Sequence, residues 1–443
     1  MPSTFLPAPE ILDSPRGRRF TDAAPQALTI PGTPLPAEAP VVIIGGGLAA
    51  LTLAAQLWHH DIRDYLILER EPKLTGRFFT RVDNVSQRVL RSPYEHHPGA
   101  EGHRDCEMLD FARLHWSWLT EVEQHEVRMA QSGQRGVAPI DLFESYCSHV
   151  AASHDVTKRA RSAAVREVVR AGDRWQVVTD RGSVRASAVV WAVGEPRRPA
   201  PDTWDTHSPR VRFWDEPQDR NIDSRNATHA VIGSGLSSAH IVHDLCTRGH
   251  RVRWIFRGKE HYQCADVNAA FFRPEGRAMF SQRSLEHRAR MLTAERRPSI
   301  MFEFRPRLQA WEESGQLSVL RETEVSALKD CGAHVEIAIA DGDTVQADRV
   351  HLALGTQMHF SPGVRGAQIR IHRGLPLVSD STMELAGAPG LYAIGALASC
   401  ALGPAARNID GHRVAAARIT AALQSALPKP DNPVDQTPSE AST

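Results

Sequence analysis

The sequence predicts an α/β protein of two βαβ units, the second inserted into the first. Three observations lead there. An apolar strand breaks into glycines and then a helical pattern near residue 41; the same device recurs near residue 228; and three short apolar strands, each running into glycine, flank the second unit or follow it. The 443 residues, 42% of them hydrophobic, suffice for two or three cores.

Residues 1–37 read as a largely irregular extension, proline-punctuated and without periodicity, although ILDSPRGRRF (residues 11–20) is expected to dock locally. The folded body begins at about residue 38. Pro40–Ile44 reads as a buried parallel strand and Leu48–His59 as a helix. Between them stands Gly45-x-Gly47-x-x-Ala50: Gly45 permits the tight turn, Gly47 lets backbone N–H groups approach a pyrophosphate, and the small Ala50 lets helix pack on strand. Such an anion rests on the helix N-terminus that opens at Leu48. The next apolar run, YLILER, ends in Glu69 at the separation expected for a carboxylate that bonds the ribose hydroxyls of an adenine dinucleotide, and Arg70 and Arg77 are assigned to the same ligand.

In the second unit, Thr228–Ile232 leads into Gly233-Ser-Gly235-Leu-Ser237-Ser238, a helical stretch to about Thr247, and the strand VRWIFRGK. Where the first unit ends in Glu69, this one ends in Arg257 with Lys259 close by. A cation there suits a 2′-phosphate and favours NADPH over NADH. AVVWAVG, ending at Gly194, and RVHLALG, ending at Gly355, bracket this unit; GLYAIGAL carries Gly395 and precedes a helical pattern whose start, near Asn408, is placed to face a flavin ring. The expected division is residues 38–205 and 346–427 for the outer domain, 206–345 for the inserted one, and 428–443 for a disordered tail.

Lys plus Arg (52) equals Asp plus Glu (52), so the chain has no general attraction to nucleic acid or an acidic membrane. The arginine-rich residues 265–313 interleave acids without an aromatic stacking series, and read as a mostly helical solvated face, a path for NADPH phosphates or a cap on the substrate cleft. No apolar run reaches the roughly 20 residues that span a bilayer, no secretory signal is visible, and six scattered cysteines without a CxxC pair fit a reducing compartment; the cytoplasm is expected, and a homo-oligomer stays open. Arg91-Ser-Pro-Tyr94-Glu-His96-His97 concentrates a cation, a phenol and two imidazoles, making Arg91 and His96 the candidate catalytic residues. Adjacent histidines on a loop point apart and no Cys/Asp/Glu cluster matches them, so no metal is expected.

Over about residues 38–427 the arrangement resembles the two-dinucleotide-binding-domain flavoproteins, in which an FAD domain contains an inserted NAD(P)H domain. The missing CxxC separates it from their disulfide reductases. THSPRVRFWDEPQ, through His207 and Trp214, resembles a degraded linker fingerprint of flavin-containing and Baeyer–Villiger monooxygenases, without its leading phenylalanine and glycine. QRVLRSPYEHHPG lies where the N-hydroxylating monooxygenases of siderophore biosynthesis carry Leu-Lys-Asp, and VAPIDLFESYCSHVA resembles their Pro-x-x-x-Phe-x-x-Tyr segment. Arg91 and Ser92 replace the lysine and aspartate; Gly395-Ala396 replaces a Gly-Asp, leaving Asn408 or backbone amides to make that contact. The resemblance implies FAD and NADPH as cofactors, and hydride transfer to flavin followed by capture of O₂ as a C4a-peroxide. It also implies oxygenation of a small molecule, foremost N-hydroxylation of an amine or amino acid. Sulfide or ketone oxygenation, and a non-oxygenating NADPH-dependent flavin oxidoreductase, are the alternatives.

Overall fold

The computed structural model describes residues 8–21, 27–100, 107–217, 227–358, 360 and 363–427; the expected tail at 428–443 lies outside them. The elements that position the site are β1 (Val41–Ile44), α1 (Leu48–His59), β2 (Tyr65–Glu69), α2 (Gly76–Asn84), β3 (Val89–Pro93), α3 (Glu121–Gln131), α4 (Ile140–Ser153), β4 (Ala160–Ser162) and β5 (Ala188–Trp191). They continue with β6 (Val211–Phe213), β7 (Thr228–Ile232), α5 (Leu236–Thr247), β8 (Arg251–Ile255), α6 (Arg305–Glu313), β9 (Leu317–Leu320), β10 (Arg349–Leu352), β11 (Leu391–Ala393) and α7 (Ile409–Ala426).

The first sheet is parallel throughout, in the order β11-β5-β1-β2-β4. Its central strands are unbroken apolar runs because both faces are covered: all four residues of β1 and all four of β5 are buried. On one face α1 packs against α7 and α4. The second sheet, also parallel, runs β6-β10-β7-β8-β9. Here the expected division at residue 345 needs correction. β10 is hydrogen-bonded on both sides within the second sheet, with Val350 opposite Ala230 and Val211, so the chain leaves this sheet only after Leu352. The strands β5 and β10 read alike, apolar and ending in glycine, and nothing local says which sheet each joins.

The chain crosses between the sheets twice, through Gly194 (φ +67°) and Gly355 (φ +77°). These crossovers lie side by side: Arg198 N–H donates to the Gly355 carbonyl at 2.9 Å and Gln357 N–H to the Pro196 carbonyl at 3.1 Å. Among its described residues the extension has one helical element, a 3₁₀ turn at Pro9–Asp13, yet Ile11, Leu12 and Phe20 are buried. Among the described residues no helix is long and apolar enough to cross a membrane.

Candidate cofactor and active site

Each parallel sheet carries a glycine turn at the carboxyl end of its central strand, the place where open α/β sheets receive ligands. In the first, Gly45 has φ +100°, and a Cβ there would stand 2.5 Å from the Ala192 carbonyl oxygen; in the second, Gly233 has φ +131° and its Cβ would stand 2.3 Å from that of Ala353. Both turns therefore exclude side chains because a neighbouring strand's backbone presses on them. Gly47 and Gly235 differ from those first glycines. They are the N-caps of α1 and α5, in extended backbone, with no side chain capping the first-turn amides. A Cβ on Gly47 would meet nothing within 4 Å, and one on Gly235 only the Pro298 Cβ at 3.9 Å. Orphan helix amides facing open space are what a phosphate group requires.

The groups around the first turn carry matching charge. Glu69 folds back on the turn, accepting from the N–H groups of Gly46 (2.5 Å) and Glu71 (3.0 Å). Thr75 N–H donates to the Gly46 carbonyl at 2.7 Å and brings the start of α2 against the loop. On α2, Arg77 donates to the Glu195 carbonyl at 3.3 Å; burial, together with the neighbouring Arg81 and Arg70, pushes its pKa down to about 10. A half-buried cation repelled by two others fits a site completed by an anion. Arg70 itself is exposed and 3.5 Å from Glu71. Leu48 opens α1, and Ala50 is fully buried beneath it.

Between the two sheets sits a charged cluster that sequence reasoning missed. Arg407, just before α7, is ion-paired with Glu195 and donates to Thr356 Oγ1 at 2.6 Å, while Thr356 Oγ1 donates to Glu195 at 3.2 Å. Burial raises the Glu195 pKa despite that arginine and lowers the Arg407 pKa despite that glutamate. Arg81 bridges Glu195 and Asp215. The available signal was the placement of Glu195 and Thr356 directly after the two crossover glycines. Gly395 (φ +77°) lies at the end of β11, its Cβ position 3.6 Å from His412 Nε2. Asn408 is the N-cap residue of α7, but its side chain donates instead to Asp266 of the inserted unit at 2.8 Å, and its buried Oδ1 accepts no hydrogen bond among the described residues.

At the second turn the Ser238 hydroxyl donates to the Gly235 carbonyl at 2.6 Å and is fully buried, so Ser238 shapes the turn; Ser237 is half-buried. Arg257 and Lys259 extend from the end of β8 into solvent, 3.7 Å from Glu324 and 3.8 Å from Glu322.

The two proposed catalytic residues lie at the seam between the units. Arg91, on β3, spends its guanidinium on the inserted unit: it donates to the carbonyls of Gln263 (3.0 Å), Ala265 (2.7 Å) and Ser299 (3.3 Å) and to Ser299 Oγ (2.9 Å). That geometry makes it a fastener of two loops and differs from the substrate- or peroxide-facing cation expected from the sequence. His96 stacks obliquely on Phe272, ring centroids 4.7 Å apart, and burial reinforced by Arg413 lowers its pKa to about 4, which keeps the imidazole neutral. His97, fully buried, shares a 3.0 Å hydrogen bond with the Tyr146 hydroxyl. His207 is exposed, whereas Trp214 is buried with Arg81 over its ring. Among the described residues no group of three or more His, Cys, Asp or Glu is placed to hold a metal.

The fold recurs among solved structures. An ornithine N-hydroxylase from Kutzneria sp. 744, in a structure whose description includes reduced FAD, NADP⁺ and L-ornithine, is similar at TM-score 0.70 and 15% identity, over 88% of this chain and 99% of that one. A cadaverine monooxygenase of desferrioxamine biosynthesis from Erwinia amylovora, bound to FAD, gives TM-score 0.70 at 13% identity over 92% and 100%. An L-lysine 6-monooxygenase from Pseudomonas syringae gives 0.63 at 19% over 88% and 100%. No curated protein matches by sequence. The model of an NAD(P)-binding Rossmann-like domain matches residues 43–106. A second model matches residues 121–355, more than half of the 443, and by it the chain belongs to the L-lysine 6-monooxygenase/L-ornithine 5-monooxygenase family.

Proposed function

We propose that this protein is an FAD- and NADPH-dependent monooxygenase that N-hydroxylates an amine or amino acid, with O₂ as co-substrate and the cytoplasm as its compartment. The observation that carries the reading is the pair of glycine turns, each with uncapped helix amides facing open space, in a chain of the lysine/ornithine monooxygenase family. The relatives named as ornithine, cadaverine and lysine oxygenases share the fold and support the amine as substrate class.

In this reading the first turn holds the FAD pyrophosphate on the N-terminus of α1, with Glu69 at the ribose and Arg77 offsetting phosphate charge. Gly194, Gly395 and Asn408 line the flavin side, and the second turn holds NADPH, with Gly233, Gly235, Ser237 and Gly355 shaping its cradle and Arg257 and Lys259 reading the 2′-phosphate. When bound, the flavin supplies hydride acceptance and oxygen activation. The chain's own residues bind, orient and exclude water. Neutral His96 would orient the amine by accepting a hydrogen bond from its N–H, and Arg91 fixes the loops at residues 263–265 and 299.

The test is a panel of amines, amino acids, sulfides and ketones, scored for NADPH consumed, hydrogen peroxide released and hydroxylated product. At least one amine should raise NADPH consumption and give hydroxylamine in near-equal yield. If every amine gives only peroxide while a sulfide or ketone couples, the reading is overturned.

A further inference from the structure

The seam between the two units is crossed by a segment with no part in the site above. Residues 9–20 touch both units at once. Ile11 (0% exposed) and Leu12 (2%) sit in one apolar cluster with Val85, Val89 and Val137 of the first unit and Ala239, Val242 and Phe304 of the inserted one. Asp13 is ion-paired to Arg307 on α6, with one hydrogen bond of 2.7 Å; Arg307 in turn lies 2.8 Å from His243 on α5. The attraction of Arg307 holds the Asp13 carboxyl below its ordinary pKa.

The other half of the segment is fixed to the first unit. Arg16 donates to Asp83 at 3.0 Å and is paired with Asp141 and with Glu144, the latter at 2.7 Å. Arg18 grips Glu123 through two nitrogens, at 2.9 and 2.5 Å, and its backbone N–H donates to Asp141 at 2.7 Å. Glu123 and Asp141 are buried, so these arginines neutralise carboxylates that would otherwise stand unpaired in the core. Phe20, 1% exposed, ends the segment in the first core, its N–H donating to Ser145 Oγ at 3.1 Å.

We infer that residues 9–20 are an interdomain staple that sets the angle of the inserted unit against the first, and so positions the nicotinamide for hydride transfer. A segment needed only for the stability of one unit would bury its apolar residues in that unit's core alone; this one divides its anchors, with Asp13 on the inserted side, Ile11 and Leu12 wedged between both units, and Arg16, Arg18 and Phe20 on the first. The covalent links between the units are the two crossovers at Gly194 and Gly355, both in left-handed backbone and free of side-chain obstruction, and such links permit rotation. Hydride transfer demands close, aligned approach, so a small swing there costs rate. The inference rests on the proposed reduction of flavin by NADPH.

The test is Asp13→Arg, which sets two cations face to face at the inserted end and leaves the Arg16 and Arg18 anchors intact, with Arg307→Asp in the same chain as rescue. The expected result is at least a fivefold fall in the rate of anaerobic flavin reduction by NADPH, with flavin content and reduction by dithionite unchanged. In parallel, hydrogen exchange of the Arg198 and Gln357 amides, which tie the crossovers together, should quicken in Asp13→Arg without nucleotide and recover in the double variant. If Asp13→Arg does not fold, Asp13→Asn is measured in its place, with a twofold fall as the threshold. Unchanged exchange and a reduction rate within twofold of the parent overturn the staple. Failure of NADPH to reduce the parent's flavin overturns the proposed function instead, and the exchange result then judges the staple alone.

Discussion

At the first turn Gly45 stands against the Ala192 carbonyl and at the second Gly233 stands against that of Ala353; in both, the glycine two residues on leaves a helix N-terminus open. Past that shared device the two units diverge. The first ends its second strand in a carboxylate folded inward onto Gly46 and Glu71 N–H groups, while the second ends in two exposed cations held loosely near glutamates. The turn is dictated by backbone sterics and is indifferent to the ligand. In the proposed reading the choice of ligand sits about 20 residues downstream, where one charge can be reversed without touching the turn.

The largest expected effect separates the roles of the two glycines. Gly45→Val puts a branched side chain into the Ala192 carbonyl at a φ that L-residues avoid, and should yield no folded flavoprotein. At Gly47 an added Cβ has no neighbour within 4 Å, so Gly47→Val should fold with near-parental thermal stability, but as a colourless apoprotein. Flavin absorbance and thermal unfolding of the two variants measure this; full flavin occupancy in Gly47→Val would refute the cradle.

Acid should strike the units unequally. Among the described residues the second holds four buried histidines, His229 and His243 with pKa lowered to about 4 and His240 and His351 to about 3, each chiefly by burial; the first has His96 and His412, each lowered to about 4, and His154, also lowered by burial. A histidine whose folded pKa lies below 6.5 binds fewer protons when folded, so its contribution is complete above pH 6.5 and is lost as pH falls from 6.5 towards 4. Each such group should cost about 1–2 kcal/mol by pH 5. Hydrogen exchange at pH 5 and pH 7.5 should show the β7–β10 sheet loosening more than the β1–β5 sheet, and equal loosening would contradict the assignment.

Arg91→Ala removes several charge-assisted bonds to loop carbonyls across the seam and should lower stability by about 2–4 kcal/mol. Denaturant midpoints report it. Unchanged stability combined with greater peroxide release per NADPH would restore Arg91 to the chemistry. Smallest is Arg257→Ala, expected to weaken NADPH by about 1.5–3 kcal/mol, roughly tenfold to a hundredfold, and to leave NADH nearly unaffected. Flavin reduction by both nucleotides decides it, since an equal loss for both would mean that Arg257 does not read the phosphate.

Much of this was legible in the sequence because it is local. A strand, a glycine turn and a helix are specified within some 20 residues, so both units and their charged ends could be read directly. What escaped was everything fixed by distant pairing. β10 looks like β5 in sequence, and only its neighbours place it in the second sheet. Arg91 sits in a polar cluster suited to catalysis, but the carbonyls that consume its donors are more than 170 residues away. ILDSPRGRRF could be expected to dock, but the buried partners of its Arg16 and Arg18, Asp141 and Glu123, lie more than 100 residues along the chain.

The position of β11 has a consequence for how the chain is made. β11 pairs with β5 across two hundred residues, whereas every strand of the second sheet has emerged once Leu352 is synthesised. On a ribosome adding about 5–20 residues per second, the first sheet must wait on the order of 10–40 seconds after β5 for its edge strand, and longer for α7. The inserted unit can therefore close first, and during that interval the apolar edge of β5 is an exposed strand open to a chaperone or to misassociation with another nascent chain.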